Sequence, residues 1–327
     1  MRAGVSVASV STALNNSAVV SVEMRARIER AAAELDYIPH VMARNLRLGR
    51  ANLIGLVLPD ITNPHFSGLA HAIEMACDAA GYSLMLCNTS DDAEKEMRHV
   101  QMLRAHRVRG IILIPGGSRT HDDAALLRLL GDAAVLLDRS FPGLAANAVL
   151  LDNVAAGRLV TAHLLDCGHR RIGFIGGPPS LQIARDRIAG CAAALQAHGL
   201  ELDPALLIDG RFQPDHAYAG TRTLLECAPQ LTALVSTNNH TTVGVMQALA
   251  HLGMPCPARI SVAAIDDFAW AEGFLPRLTA VAQPIVAMGQ EAVRRLLHPG
   301  SVPETVVLAP DLIVRGSTRP LGDGAAD

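Results

Sequence analysis

From Leu53 onward the chain alternates short apolar runs with amphipathic stretches. LIGLVLP (53–59), SLMLCNT (83–89), GIILIPG (110–116), AVLLD (134–138) and AVLLD (148–152) are too short for helices. They are also too evenly apolar for strands with one wet face. Between the early ones, Phe66 to Ala80 and Ala93 to Arg107 carry helical periodicity. A second series follows, RIGFIGG (171–177), LLIDG (206–210), ALVSTN (233–238) and ISVAAID (260–266), again with helical stretches between. Buried strands alternating with helices predict an α/β fold with parallel, doubly wound sheets. The openings LIGLVLPD and RIGFIGGPP look alike, so two similar subdomains are expected. Neither completes G-x-G-x-x-G, so no dinucleotide site is supported.

The first fifty residues have a different rhythm. Ser6 reads as a helix N-cap, with Val5 and Val10 at the two positions of a hydrophobic staple. Val10 and Leu14 then face inward, Val7, Ala8, Ser11 and Thr12 face outward, and Asn15-Asn16 ends the helix in a turn. Ser21 caps a second helix with Glu23 in its first turn and Met24, Ile28, Ala31, Ala32 and Leu35 as its buried stripe. Two short helices about a tight turn fit part of a helix-turn-helix, or equally a generic helical hairpin. Pro39 breaks the second helix, and HVMARNLRLG (40–49) is too short to be helical alone, so it reads as a linker that orders when something binds it.

Charge sharpens this picture. The net charge of −3 points to no nucleic-acid partner for the chain as a whole. Residues 1–50, however, hold seven arginines against four carboxylates, and the remainder holds 21 basic and 27 acidic residues. A basic head on an acidic body fits a small electrostatic docking module. The six cysteines (77, 87, 167, 191, 227, 256) form no C-x-x-C pair and suit reduced, mostly buried thiols in the cytosol. There is no basic-then-apolar leader and no apolar run near eighteen residues, which disfavours secretion and membrane spanning. His163 and His169 are six apart and share no helical face for a metal; His169 reads as structural. With no nucleophile elbow, phosphate loop or metal cluster, an enzyme, a metal and a cofactor are all unexpected.

AGVSVASVSTALNN (3–16), VSVEMRARIERAAAELDYIPHVMARNLRLGRANLIGLVLPDITNPHF (20–66), LLDCGHRRIGFIGG (164–177) and IDDFAWAEGFLPRLTAVAQP (265–284) together resemble the LacI/GalR family of bacterial transcription regulators. The resemblance keeps order and spacing from Arg2 to about Pro320. It implies two periplasmic-binding-protein-like, doubly wound parallel-sheet subdomains, preceded by an all-α helix-turn-helix headpiece and a hinge helix. On that pattern the headpiece is 1–38 and the hinge 39–50. The effector-binding and dimerisation core is 51–320, its N-subdomain about 51–153 plus 284–301 and its C-subdomain about 154–283 plus 302–320, with a disordered tail at 321–327. One departure is that the family's headpiece begins with a helix that has no counterpart here, since Met1 to Gly4 match the turn after it. The headpiece therefore reads as N-terminally truncated, either by a start codon assigned too late, the favoured explanation, or in the protein itself.

The family match implies a homodimer, with a tetramer left open, that reads a pseudo-palindromic double-stranded operator. Val7 to Asn15 would be the recognition helix, with Ser6, Val7, Ala8, Ser11, Thr12 and Asn15 facing DNA. Val7 and Ala8 can offer only apolar contact, most simply to thymine methyls, and Thr12 stands where the family commonly has arginine. Modest sequence discrimination is expected. Leu46 matches the leucine that wedges into a central minor-groove step, and Arg44 and Arg47 would meet phosphates.

For a small effector, the matching positions are Asn63, Phe66, Asp138, Arg187 (with Arg185 a rival), Phe212, Asn238, Asp266, Trp270 and Gln283. Asn239 replaces an acid usual in the family. Carboxylates, an arginine, amides and aromatics suit a polyhydroxylated ligand, a sugar or sugar acid. The expected function is a repressor whose operator affinity responds to that effector. Two alternatives remain at this point: an effector-sensing remnant without DNA binding, and a sugar-binding transport protein.

Overall fold

The computed structural model describes residues 4–6, 10, 13, 20–35, 52–117, 123–141, 143–268, 271–273 and 275–321. These fall into two compact units, residues 1–51 and 52–327.

In the first unit the Ser6 carbonyl accepts from Val10 N at 3.0 Å, the bond expected of an N-cap, and Ala13 is buried. Helix α1 (Val22–Glu34) is capped by Ser21, whose hydroxyl accepts from Met24 N, with Glu23 in the first turn. Ile28 is its buried residue. Leu35, expected in the stripe, is the C-cap and lies 56% exposed, because the helix ends one residue before it. Val7, Ala8, Ser11, Thr12, Leu14, Asn15 and the linker with Arg44, Leu46 and Arg47 lie outside the described residues.

The second unit contains two six-stranded sheets. The first has β1 (Leu53–Leu58), β2 (Ser83–Asn88), β3 (Gly110–Leu113), β4 (Ala134–Leu137), β5 (Ala148–Leu151) and β11 (Thr305–Leu308), in the order β11-β5-β4-β3-β1-β2 and parallel throughout. The second has β6 (Ile172–Gly176), β7 (Leu207–Asp209), β8 (Ala233–Ser236), β9 (Ser261–Ile265), β10 (Thr279–Ala282) and β12 (Asp311–Ile313), in the order β12-β10-β9-β8-β6-β7. Only β12 there runs antiparallel. Apart from that edge, the two lobes repeat one winding order.

Helices cover both faces of each sheet. In the first lobe these are α2 (Pro64–Ala79), α3 (Ala93–Ala105), α4 (Asp123–Leu130) and α9 (Ile285–Leu297); in the second, α5 (Asn153–Asp166), α6 (Gln182–Ala197), α7 (Pro214–Cys227) and α8 (Asn239–His251). Two apolar layers per lobe result. Ile54, Leu56, Ile112 and Val135 meet α2 and α9 on one side of the first sheet, while Val57, Leu113 and Leu136 meet α3 and α4 on the other. Strands so enclosed must be apolar on both faces, which is the pattern read from the sequence.

The chain crosses between lobes after β5, after β10 and between β11 and β12. The third crossing corrects the expected subdomain boundary. Residues 302–308 stay with the first lobe, because Thr305–Leu308 pairs in register with Ala148–Leu151, and only from Asp311 does the chain join the second sheet. This edge strand is four residues long with only Val306 and Leu308 partly buried, too weak a pattern to stand out. At the far end Leu321 N donates to Cys167 O at 2.8 Å, so the ordered chain runs one residue past the expected start of the tail; residues 322–327 lie outside the described set.

His169, read as structural, is fully buried between Thr232 Oγ1 (2.9 Å) and Arg319 O (3.2 Å), and burial holds its imidazole below the usual range. All six cysteines are free; Cys77, Cys87 and Cys191 are buried, and burial pushes the Cys191 thiol up to about 12.

Candidate functional site

In a doubly wound sheet, the loops at the carboxyl ends of the strands are where polar side chains gather. Here the carboxyl ends of both sheets face one cleft of about 530 Å³. Asp138 directly follows β4 and Asp266 directly follows β9, and the two strands hold the same place in their respective sheets. Both aspartates sit in the left-handed region (φ 64° and 73°), a conformation that costs most side chains free energy and that aspartate tolerates better than most. Both are 4% exposed.

Each is paired with a cation from the helix that follows the first strand of its own lobe. In the second lobe Arg187, on α6, donates to Asp266 from Nη1 (3.3 Å) and Nη2 (3.3 Å), to Asn153 Oδ1 from Nε (2.8 Å) and to Thr237 O from Nη1 (2.5 Å). In the first lobe His65, on α2, lies 2.9 Å from Asp138 through Nε2. Burial works against a charged imidazole there. The adjacent Asp138 carboxylate, its hydrogen bond and the Asp266 charge outweigh that, so His65 is held above its usual range. Burial likewise opposes the Asp138 charge, and His65, Arg139 and Arg187 overcome it, holding that carboxyl below its usual range.

The helix carrying Arg187 is set by glycines. Gly157 on α5 and Gly190 on α6 let the helices touch backbone to backbone, and a Cβ on Gly157 would collide with the Arg187 carbonyl. Local structure therefore fixes the arginine before any ligand arrives.

Most other expected effector residues also gather here. Asn63 caps α2 through His65 N (2.9 Å), and Phe66, 5% exposed, lines the wall with the Arg139 guanidinium 5.5 Å from its ring centroid. Phe212 lies on the Gly177 backbone with φ 54° and lines the mouth, and Asn238 caps α8 through Thr241 N (2.8 Å). Arg185, the rival to Arg187, is exposed and bonds Pro179 O and Gln182 Oε1, outside this cavity.

Gln283 stands differently from expectation. It does not line this cavity but stands behind Asp266, donating to its Oδ1 at 2.6 Å. Its place is fixed by the crossing after β10, which directs it to the back of the carboxylate. Trp270 lies outside the described residues.

Sequence reasoning missed His65, Arg139 and Asp91, and the role of Asn239. His65 follows Asn63-Pro64 in a helix start, where the only visible signal was the cap itself. Asn239 Nδ2 donates to Asn63 Oδ1 at 2.9 Å, a bond joining the two lobes across the cleft, with both residues buried. Among the described residues no cluster could hold a metal ion, and no helix is long and apolar enough to cross a membrane.

Two lobes of one winding, joined by three crossings and facing a polar cleft, define a two-lobed ligand-binding protein; ahead of it stands a separate small unit with a capped helix. Residues 161–318 match the periplasmic binding protein-like domain, and residues 1–40 match the lacI family of bacterial regulatory proteins. The transcriptional regulator DegA of Bacillus subtilis is 33% identical, over 98% of this chain and 96% of that protein, and the ribose operon repressor of Escherichia coli K12 is 33% identical, over 96% and 97%. Among solved structures, the lac repressor dimer bound to operator and the anti-inducer ONPF superposes with a TM-score of 0.85 at 28% identity, and the regulator CelR in complex with cellobiose with 0.72 at 29%, each over 97% of both chains. The chain belongs to the LacI family of bacterial transcriptional regulators.

Proposed function

We propose that this protein is a cytoplasmic, homodimeric repressor that binds a pseudo-palindromic operator and acts by binding, not catalysis, with operator affinity set by a neutral sugar-like effector in the interlobe cleft. The observation that carries the effector reading is the pair of opposed, buried ion pairs, Asp138–His65 and Asp266–Arg187, one from each lobe. Each carboxylate can accept from ring hydroxyls while its charge is already balanced. Arg187 favours a neutral ring over a sugar acid, because its guanidinium is already spent on Asp266, Asn153 and Thr237. Relatives that include a ribose operon repressor, and a cellobiose-bound neighbour, support the same class.

DNA contact is assigned to Ser6, Val7, Ala8, Ser11, Thr12 and Asn15 of the headpiece and to Arg44, Leu46 and Arg47 of the linker, on the family match over residues 1–40 and the operator-bound neighbour. The dimer face is assigned to the β2 edge of the first sheet and the adjoining side of α2, where Leu86 is 40% and Met75 56% exposed. Effector occupancy would change how the two linkers approach each other. By linkage, an effector that weakens operator binding binds the operator-bound protein more weakly by the same factor.

The test is fluorescence-anisotropy titration of labelled DNA from the protein's own upstream region, with and without a panel of neutral sugars. Specific binding that a sugar shifts is the expected result. Binding no tighter than to scrambled DNA would overturn the operator reading, and sugar-independent specific binding would overturn effector control.

A further inference from the structure

The cleft is longer than one sugar ring requires. A second cavity of about 360 Å³ adjoins the first and shares with it Gly117, Asp138, Arg139, Ser180, Leu181 and Ile183. It continues between the lobes past β5, where Pro115, Leu150 and Leu151 give it an apolar wall and Ser140, Asp123, Arg185 and Asp186 a polar one, the two acids and the arginine facing the same space. At the boundary Leu181 of the second lobe comes so close to Gly117 of the first that a Cβ on the glycine would lie 3.4 Å from its Cδ2. Gly117 N is meanwhile held by Asp91 Oδ1 at 2.6 Å.

Arg139 stands on the shared wall. Its Nη1 donates to Pro115 O (3.0 Å) in the second chamber and pairs with Asp91 Oδ1 (3.8 Å) in the first. Its Nε is buried and makes no hydrogen bond; Asp138 Oδ2, 3.7 Å away, is close enough for an ion pair but beyond hydrogen-bond reach. The guanidinium thus carries its charge balance on both sides of the shared wall, Asp91 in the first chamber and Pro115 O in the second, with one nitrogen left without a hydrogen bond.

We infer that the effector is a two-ring neutral glycoside, one ring between the two aspartates and the second in the adjoining chamber, with the Arg139 side chain on the wall the two chambers share. The inference rests on the sugar-effector reading. The first chamber supplies paired hydroxyl acceptors and the Phe66 face; the second is mostly apolar, which suits the C–H face of a sugar or an aglycone. Arg139 is thereby a specificity-determining residue that separates glycosides from free monosaccharides.

The experiment is calorimetric titration of the full chain with cellobiose, maltose and lactose, and with glucose, galactose and ribose. At least one disaccharide is expected to bind ten-fold or more tightly than every monosaccharide. Ser140→Trp and Leu150→Phe, which narrow only the second chamber, should remove that advantage and leave monosaccharide affinity unchanged, and Ser140→Trp, at an exposed position, should leave the melting temperature unchanged as well. Arg139→Met should cut disaccharide affinity more than monosaccharide affinity. Equal affinity for a monosaccharide and the best disaccharide, or disaccharide binding indifferent to both narrowing variants, would overturn the two-chamber inference and leave the sugar reading standing. No heat with any of the six would overturn the sugar reading itself.

Discussion

Arg187 and Asp266 are the most exacting test of how this cleft is held together. Their side chains are 3% and 5% exposed, so solvent screens the pair little. In Arg187→Met the Asp266 carboxylate keeps Gln283 as its one donor among the described residues, and Asn153 Oδ1 and Thr237 O each lose the bond from Arg187. Breaking a buried pair from one side costs about 3–5 kcal/mol, since the remaining charge stays desolvated and uncompensated. At roughly 2–4 °C per kcal/mol for domains somewhat smaller than this one, the core's melting temperature should fall by about 6–20 °C. Asp266→Leu should cost a similar amount by stranding the guanidinium. The double variant removes both charges and should be at least about 2 kcal/mol more stable than the sum of the singles. Urea unfolding of the four proteins measures that coupling. Additive costs, with coupling below about 0.5 kcal/mol, would show that the pair is not the unit described. For the same reason Asp266→Ala confounds loss of a ligand contact with loss of the fold, and Asp266→Asn is the better probe of effector binding.

Three further outcomes are expected. His65 is held above its ordinary value, so its stabilising contribution is complete below about pH 6.5 and is lost as pH rises through the raised value. Asp138, held below its ordinary value, contributes above about pH 4 and loses that contribution as pH falls through the lowered value. Thermal melts of the parent and His65→Gln across pH 3–9 should differ most between those limits; a constant difference would remove the pair's role. Gly157→Ala should destabilise by about 3 kcal/mol or more, above the usual range for overpacking, because the new methyl meets the Arg187 carbonyl and not a movable side chain; chemical denaturation reads this, and a loss under about 1 kcal/mol would mean α5 and α6 separate freely. Leu86→Lys places a charge on the β2 edge and should shift the chain towards monomer in sedimentation equilibrium, and an unchanged dimer would move the interface elsewhere.

The fold was legible because strands enclosed on both faces announce themselves as apolar runs; β1 to β9 all fall inside the runs read from the sequence. β10, β11 and β12 did not stand out. TAVA is too short and small-chained, and the last two strands are only four and three residues long with no fully buried position, so their apolar signal is weak. Of the site, the two aspartates and Arg187 were visible as polar residues at the ends of apolar strands or in a family motif. His65 was hidden in the first turn of a helix, where a histidine is unremarkable until the fold sets it against Asp138. Gln283 shows the opposite failure: the right neighbourhood was read, but only the direction of the crossing after β10 decides which side of Asp266 it takes.

The internal repetition carries a consequence that neither lobe shows alone. Helix α2 follows β1 and α6 follows β6, and the cations they carry, His65 and Arg187, meet aspartates after equivalent strands. The two walls are therefore chemically matched while the imidazole is protonated, and unmatched when it is not. Arginine keeps its charge at every accessible pH, so only the first lobe can change. Deprotonating His65 leaves Asp138 with Arg139 as its nearest cation at 3.7 Å, and puts an extra net negative charge on the wall that a ligand hydroxyl must approach. A ligand hydroxyl that donates to Asp138 replaces part of the stabilisation that the imidazolium supplied; one that must accept from His65 loses its donor. The direction in which sugar affinity moves between pH 6 and 9 thus tells which atom of the first-lobe pair the ligand touches, and His65→Gln, which can donate at every pH, should flatten that dependence.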